Sequence, residues 1–237
     1  MTKESLFSIF LFLLIQQAVG QNQATGKLFY SNSFLNADSL MDWKMEGQAE
    51  WKVENDGLHL YSPQQSKHHV LWCPISIPAD FIAEWEAKNL NPEAGLCIIF
   101  FAACGKNGED IFSEKLMPRK GIFKQYTQGD INNYHISYYA NNPFEKRRNQ
   151  ANLRKNIGFK KVQSGELGIP KSSTEVHHCK LISCKGRILF YVDQKKVIDW
   201  TDSEPLGPGK IGFRQMKWTH FVYRNFKVWE IKNLPAE

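Results

Sequence analysis

The feature that most constrains the fold of this chain is a succession of short β-strand patterns separated by turn residues. Residues 51–54 and 58–61 alternate apolar with polar side chains on either side of Asn55-Asp56-Gly57, whose residue types tolerate the positive φ of a tight turn. Residues 96–103 are continuously apolar, which predicts a strand buried on both faces. Comparable patterns continue towards the C-terminus with little helical periodicity, and they predict further strands that include residues 122–126 and 157–162. The chain is therefore predicted to be all-β, a sandwich or jelly roll of antiparallel sheets.

The N-terminal residues carry the pattern of a secretory signal. Lys3 precedes an apolar run over residues 6–15, and Ala18-Val19-Gly20 places small residues where a signal peptidase reads. The run is shorter than the roughly twenty apolar residues of a transmembrane helix. We therefore predict a signal peptide at 1–20, with an uncleaved anchor as the alternative. The mature part, 21–237, is predicted to be one β-sandwich domain in a secreted or periplasmic location.

Composition limits the partners of such a domain. The formal net charge is +6, which favours an anionic partner such as an acidic glycan, although an excess of lysine also serves solubility. No nucleic-acid-binding motif is evident, and no membrane partner is expected after signal cleavage. The five cysteines are predicted to be buried free thiols, because Cys97 and Cys104, like Cys179 and Cys184, lie too far apart along one strand to bridge.

Four segments carry a resemblance to a known family: FFAACGKNGEDIF (100–112), QGDINNYHISYY (128–139), NLRKNIGF (152–159) and IGFRQM with YRNFKVWEI (within 211–231). They resemble the YesU-like family, bacterial concanavalin A-like proteins associated with polysaccharide utilisation. The resemblance covers nearly all of the mature chain. It implies a concanavalin A-like jelly-roll sandwich and a polysaccharide setting, and it implies no particular catalytic mechanism.

The polar residues between 134 and 156 are the richest candidates for chemistry. Side chains alternate along a strand, so His135, Ser137 and Tyr139 are predicted to project together, with Ile136 on the core side. By the same rule a second set shares a face: Asn152, Arg154 and Asn156. Aromatic faces stack on sugar rings, amides read hydroxyls and guanidinium groups bind carboxylates. The residues predicted to bind a glycan on a concave sheet face are Tyr126, Ser137, Arg148, Asn152, Asn156, Arg214 and Trp218.

The same residue types would serve β-elimination of a uronic acid. Arg154 or Asn152 would neutralise the carboxylate, and His135 or Tyr139 would remove the neighbouring proton and return one to the leaving oxygen. Glu109, after Asn107-Gly108, is the candidate acid or base for hydrolysis. The structural alternative is that these tyrosines and histidines only pack and hydrogen-bond, while the arginines are solvated.

Several reaction classes lack their sequence patterns. Glu-x-Asp-x-x-Glu, CxxC, HExxH, Gly-x-Ser-x-Gly and a phosphate-binding glycine loop are all absent. Glu84 and Glu86 alternate with apolar residues and are predicted on a solvent-facing surface. The adjacent pairs His68-His69 and His177-His178 point to opposite sides of a strand, so neither is expected to chelate a metal. No metal site or cofactor is predicted; the fold type permits a structural calcium ion, for which no ligand spacing is evident.

These observations lead to two hypotheses about function. The first is an exported enzyme that cleaves an acidic polysaccharide, with lyase chemistry ahead of hydrolysis. The alternative is a non-catalytic carbohydrate-binding module, which would keep stacking aromatics and amides without a converging acid and base.

Overall fold

The computed structural model describes residues 26–141 and 150–235. These residues form fifteen strands, a 3-10 turn (Ala37–Leu40) and one short helix, α1 (Phe123–Thr127). The strands are β1 (Lys27–Asn32), β2 (Lys44–Gly47), β3 (Glu50–Glu54), β4 (Gly57–Tyr61), β5 (His69–Trp72), β6 (Phe81–Asn89), β7 (Gly95–Gly105), β8 (Ile131–Asn141), β9 (Asn152–Asn156), β10 (Lys160–Ser164), β11 (Val176–Cys184), β12 (Arg187–Val192), β13 (Lys195–Thr201), β14 (Lys210–Met216) and β15 (His220–Glu230). The predicted signal peptide lies outside the described residues.

The strands form two antiparallel sheets. Sheet A has eight strands in the order β13-β12-β11-β6-β15-β4-β3, with β1 also paired to β15. Sheet B has seven strands in the order β10-β9-β8-β7-β14-β5-β2. The predicted all-β sandwich of two antiparallel sheets is confirmed. Within the described ranges no helix combines the length and apolarity needed to cross a membrane.

Aromatic side chains fill the space between the sheets. The Phe213 ring of sheet B lies 5.6 Å from Trp85 and 5.5 Å from Phe226, both of sheet A. Phe34 and Trp43 close the same cluster with ring centroids 5.2 Å apart. Edge-on and offset pairs of this kind add about 0.5–1.5 kcal/mol each beyond the burial of their area. These contacts determine which face of each sheet points towards the core and which face points outward.

The sequence of residues 122–126 predicts a strand, but residues 123–127 form the helix α1. The Gln125 side chain accepts hydrogen bonds from the N–H groups of Lys120 (2.8 Å) and Ile122 (3.3 Å), which stabilises a helical first turn. Phe123 and Tyr126, three residues apart, both turn towards sheet B. The predicted strand is wrong here because a segment of five residues is too short for its apolar pattern to distinguish a helix from a strand.

All five cysteines are free, and four of them are buried. Burial raises the pKa of each thiol: it brings that of Cys73 to about 12 and raises those of Cys97 and Cys179 well above their ordinary value. Cys104 is the partly exposed one.

We therefore expect a thiol reagent such as dithionitrobenzoate to modify Cys104 alone in the native protein, and slowly, because only a thiolate reacts and the pKa of this thiol is raised. Denaturant without reductant should release all five thiols. Cys104→Ser should abolish the native reaction. Fewer than five thiols after denaturation, or a second reactive thiol before it, would contradict this assignment.

Candidate functional site

Most of the predicted site residues lie on the outer face of sheet B, the face turned away from the inter-sheet core. The strand register places Arg154 opposite His135, His135 opposite Phe100, and Phe100 opposite Gly212. A second row along the same strands holds Asn152, Ser137, Ile98 and Arg214. The intervening residues, such as Ile136, belong to the inter-sheet core. The prediction that Asn152, Arg154 and Asn156 share a face is confirmed, as it is for His135 and Ser137.

Residues 106–130, which connect β7 to β8, cover part of this face, and we call them the covering segment. Their side chains form a second apolar cluster with sheet B, in which the Tyr126 ring lies 5.6 Å from Phe100 and 6.3 Å from Trp72. Tyr126 is fully buried there. This burial contradicts the prediction that Tyr126 contacts a glycan.

Arg214 is also buried beneath the covering segment. Its Nη2 donates to the backbone carbonyl of Gly121 (2.9 Å), and its guanidinium carbon lies 5.1 Å from the ring centroids of both Phe123 and Tyr126. Burial lowers its pKa to about 10, opposed by the charges of Tyr126 and Glu46, so the side chain stays protonated at neutral pH. The prediction that Arg214 binds a glycan is contradicted: it fastens the covering segment instead.

His135 is held by a chain of amides that begins at a backbone carbonyl. Asn133 Nδ2 donates to Tyr126 O (2.8 Å), which turns Asn133 Oδ1 towards Asn156. Asn156 Nδ2 then donates to that Oδ1 (2.7 Å) and to His135 Nδ1 (2.9 Å). Because Nδ1 accepts, the neutral ring carries its proton on Nε2. In this tautomer His135 is a hydrogen-bond donor through Nε2, which disagrees with its predicted role as a base.

The open part of the face is formed by Arg154 and Phe159. The Arg154 guanidinium carbon lies 4.0 Å from the Phe159 ring centroid, and its Nη1 donates to Phe159 O (3.4 Å). The Phe159 ring meets the edge of Phe123 at 5.4 Å. All three side chains are partly exposed, and Lys161, the strand partner of Arg154, is exposed. We call this set the Arg154–Phe159 platform.

A tight turn places Phe159 on this face. β9 ends at Asn156, and Gly158 (φ +105) and Phe159 (φ +57) then take left-handed conformations. The N–H of Gly158 donates to Thr127 O (2.9 Å), which ties the turn to the end of α1. Residues 157–162, predicted as one strand, are therefore a turn followed by β10.

Tyr139 does not share the outer face with His135 and Ser137, as had been predicted. The register of β7 against β8 shifts after Cys97, which interrupts the alternation of side chains. The Tyr139 ring packs between the sheets 5.1 Å from Phe221, and its hydroxyl accepts from Asn89 Nδ2 (2.9 Å). Burial raises its pKa. A base on this tyrosine would face the interior of the protein, not a glycan.

Glu109 closes a turn at the end of β7. Its carboxylate accepts from the Asn107 backbone N–H (2.9 Å) and from Asn107 Nδ2 (3.0 Å). These bonds, the side-chain one first, lower its pKa, so it is ionised at neutral pH and cannot act as a general acid. Glu109 therefore serves as a turn residue, and of its two predicted roles only that of base stays a prediction.

The remaining predicted residues divide between the face and its surroundings. Asn152 lies on the face, nearly buried, and its Oδ1 accepts from Ser164 Oγ (3.2 Å). Trp218 is half-buried in the β14–β15 turn, where its carbonyl accepts from Asn91 Nδ2 (2.8 Å). Arg148 lies outside the described residues.

Two further carboxylates lie on the opposite sheet. Glu84 and Glu86 point outward from sheet A, as predicted, and pair with Lys180 (3.2 Å) and Arg224 respectively. One group of potential metal ligands occurs among the described residues: Glu54, Asp56 and His59 of the β3–β4 hairpin. Calcium prefers six to eight oxygen ligands, so a set with one imidazole and two carboxylates does not fit it. Structural calcium stays a prediction.

Comparison with known proteins places this architecture in a family. The sequence profile described as "Domain of unknown function (DUF1961)" matches residues 27–228. The protein YesU of Bacillus subtilis (strain 168) is 36% identical over 211 residues, which cover 86% of this chain and 96% of that protein.

Solved structures show the same fold. A Bacillus subtilis protein with a galectin-like fold matches with a TM-score of 0.83 at 34% identity, covering 88% of this chain and 99% of that one. The carbohydrate recognition domain of Emp46p matches with a TM-score of 0.60 at 14% identity, covering 85% of this chain and 97% of that one. The Crh5 transglycosylase matches with a TM-score of 0.58 at 10% identity, covering 90% of this chain and 88% of that one. At such low identity the last two show likeness of fold alone.

Proposed function

The chain belongs to the DUF1961 family, and from the outer face of sheet B we propose that it is a carbohydrate-binding protein. The observation that carries this proposal is the Arg154–Phe159 platform, where a guanidinium and two aromatic rings remain partly exposed beside His135. Aromatic faces stack on the C–H surfaces of sugars, and guanidinium donors bind hydroxyl or carboxylate oxygens. The Emp46p domain, whose name describes carbohydrate recognition, supports the same class of ligand.

Binding, rather than cleavage, is the function that this geometry supports best. The fold alone does not decide, because both a recognition domain and a transglycosylase share it. A lyase needs a base beside the acidified C–H, but His135 Nδ1 already accepts from Asn156 and Tyr139 faces the interior. Of the groups predicted to act beside Arg154, Tyr139 points away from it, and His135, although adjacent, has its Nδ1 occupied by Asn156.

We assign the ligand to glycans that carry carboxylates. Arg154 and Lys161 are paired across β9 and β10 and both reach the outer face of sheet B. Two adjacent cations favour an anionic sugar over a neutral one, and the net charge of +6 would speed its approach. Export is part of the same proposal, because the signal pattern of residues 1–20 would bring the protein to extracellular polysaccharides.

The direct test is replacement of Arg154. Arg154→Ala should weaken binding to an acidic polysaccharide such as polygalacturonate about 10- to 100-fold, or 1.4–2.7 kcal/mol, because charge-assisted hydrogen bonds and the support of the Phe159 ring are lost together. Affinity electrophoresis would screen acidic and neutral polysaccharides, and calorimetry would measure the affinity for oligosaccharides of the retained one.

Arg224→Ala is the matched control, since Arg224 is a partly exposed arginine on sheet A, paired with Glu86. It should leave glycan affinity unchanged. Equal affinity of Arg154→Ala and the unmodified protein would refute the platform as the binding site. Equal retardation by neutral and acidic glycans would refute the anionic ligand while leaving carbohydrate binding in place.

A further inference from the structure

Three side chains away from the outer face of sheet B form a continuous chain of hydrogen bonds. Ser173 Oγ lies 2.7 Å from His177 Nε2, and His177 Nδ1 lies 2.5 Å from Asp193 Oδ2. Ser173 comes from the loop before β11, His177 from β11 itself and Asp193 from the β12–β13 turn. Nothing in the proposed glycan site uses them.

The direction of the proton chain follows from the carboxylate. An ionised Asp193 only accepts hydrogen bonds, so His177 Nδ1 donates to it. In the neutral ring Nε2 is then an acceptor, and Ser173 Oγ–H donates to it. This is the protonation pattern that activates a serine nucleophile, in which the base is oriented by a third group.

Asp193 is held in place by backbone contacts. Its Oδ1 accepts from the N–H of His178 (2.9 Å), and its own N–H donates to His178 O (2.9 Å). The turn gives Asp193 a φ of +49. The carboxylate is therefore anchored to the strand that carries His177, which preorganises the pair.

Ser173 is partly exposed, while His177 is 7% exposed. The Ser173 N–H donates to Pro170 O (3.1 Å), and the Glu175 N–H donates to Ser173 Oγ (3.3 Å). No described residue accepts from the N–H of Thr174, the residue after the serine. The backbone N–H that follows a nucleophile is a common donor to an oxyanion.

We propose that Ser173, His177 and Asp193 form an acyl-transfer centre that hydrolyses carboxylic esters. Ser173 Oγ bonds to the ester carbonyl carbon as its proton passes to His177 Nε2. The ester C–O bond then breaks, and the departing alkoxide takes that proton to leave as an alcohol. A water molecule next gives its proton to Nε2 and attacks the acyl carbon. Ser173 Oγ departs with the proton, and a carboxylic acid is released.

Esters fit this site better than amides. An alkoxide leaves more readily than the amide anion of an unprotonated amide, and a partly open serine gives less of the water exclusion and charge stabilisation that amide cleavage requires. The centre is independent of the Arg154–Phe159 platform, so either assignment can fail without the other.

The test uses the full-length protein with 4-methylumbelliferyl acetate and, separately, a fluorophosphonate probe. The unmodified protein should hydrolyse the ester and carry the probe on Ser173, located by peptide mass. Ser173→Ala should lose the label, and both Ser173→Ala and Asp193→Asn should lower kcat/KM roughly 1000-fold or more. Asp193→Asn serves as the second variant, because its amide can still occupy the turn while it no longer fixes the productive tautomer.

Ser172→Ala, at the exposed neighbouring serine, is the matched control and should change neither readout. Thermal melting of every variant would show that lost activity is not lost folding. Hydrolysis no faster than in buffer, hydrolysis that survives Ser173→Ala in a folded protein, or a probe attached elsewhere would each overturn the proposal.

Discussion

Replacing Glu46 by alanine should lower the free energy of unfolding by about 3–5 kcal/mol and loosen the covering segment. Glu46 of β2 is nearly buried, and its Oε1 accepts from Arg119 Nη2 (2.9 Å). Its Oε2 accepts from Arg119 Nε (3.2 Å) and from Trp72 Nε1 (2.9 Å). The variant would leave the Arg119 cation buried without its carboxylate and the Trp72 N–H without an acceptor.

Denaturant unfolding measures the global loss, and hydrogen exchange of residues 106–130 measures the local one, since Arg119 lies in the covering segment. Glu50→Ala, at an exposed position of β3, is the control and should change stability by less than about 0.5 kcal/mol. Removing both Glu46 and Arg119 should cost less than the two single changes added together. A Glu46→Ala protein that unfolds like its parent would show that the pair does not hold the segment.

The consequence for function follows from the position of Phe123. This residue of α1 packs against Phe159 and lies over the buried Arg214 guanidinium. A covering segment released from sheet B would carry Phe123 away from the Arg154–Phe159 platform. Loss of the Glu46–Arg119 pair should therefore also weaken glycan binding, although neither residue is part of the platform.

The sandwich was predictable because its strand segments either alternate apolar with polar residues or are continuously apolar, over lengths that are typical of strands. The hairpin of β3 and β4 and the doubly buried β7 follow from local pattern and turn chemistry alone. β1 and β2 were missed, because an exposed strand such as β1 shows little apolar alternation. Local patterns thus fix the sheets but not their edges.

The site was predictable only where alternation holds without interruption. His135 and Ser137 face outward as expected, but the register shift near Cys97 turns Tyr139 inward, and no sequence pattern marks that shift. Tyr126 and Arg214 were misassigned because their burial depends on the covering segment, a contact between parts of the chain far apart in sequence. Phe159 was missed because Gly158, which signals its turn, was included within a strand.

The hydrogen-bonded chain of Ser173, His177 and Asp193 was likewise not predictable from the sequence. The three residues come from a loop, a strand and a turn, so no linear sequence motif contains them. The absence of Gly-x-Ser-x-Gly also argued against a serine nucleophile. Their convergence depends on β11, β12 and β13 being neighbours in sheet A. Residue types and spacing are enough to predict a site on one strand, whereas predicting a site formed by several strands requires knowledge of how those strands pair.

The second large effect should be a loss of stability in acid that originates at His69. The side chain is fully buried in β5, and neither ring nitrogen has a hydrogen-bond partner among the described residues. Burial, with a further contribution from the Arg214 charge, lowers its pKa to about 3 from 6.5, and a backbone contact with Gln48 opposes the shift only in part. The other charged or titratable neighbour, His68, acts in the same direction.

A histidine whose pKa is lower in the folded state than in the unfolded state favours the fold above pH 6.5, where both states are unprotonated. As the pH falls from 6.5 towards 3, the unfolded chain binds the proton first, and this contribution to stability is lost. At pH 5 the loss should be about 2 kcal/mol. His69→Leu removes the titrating group and keeps a similar volume. The free energy of unfolding of this variant minus that of the parent should therefore be about 2 kcal/mol larger at pH 5 than at pH 7.5. His178→Leu, at a histidine whose side chain is 71% exposed, should leave the pH profile unchanged. Parallel stability curves for His69→Leu and the parent between pH 7.5 and 5 would show that His69 is not the origin of the acid sensitivity.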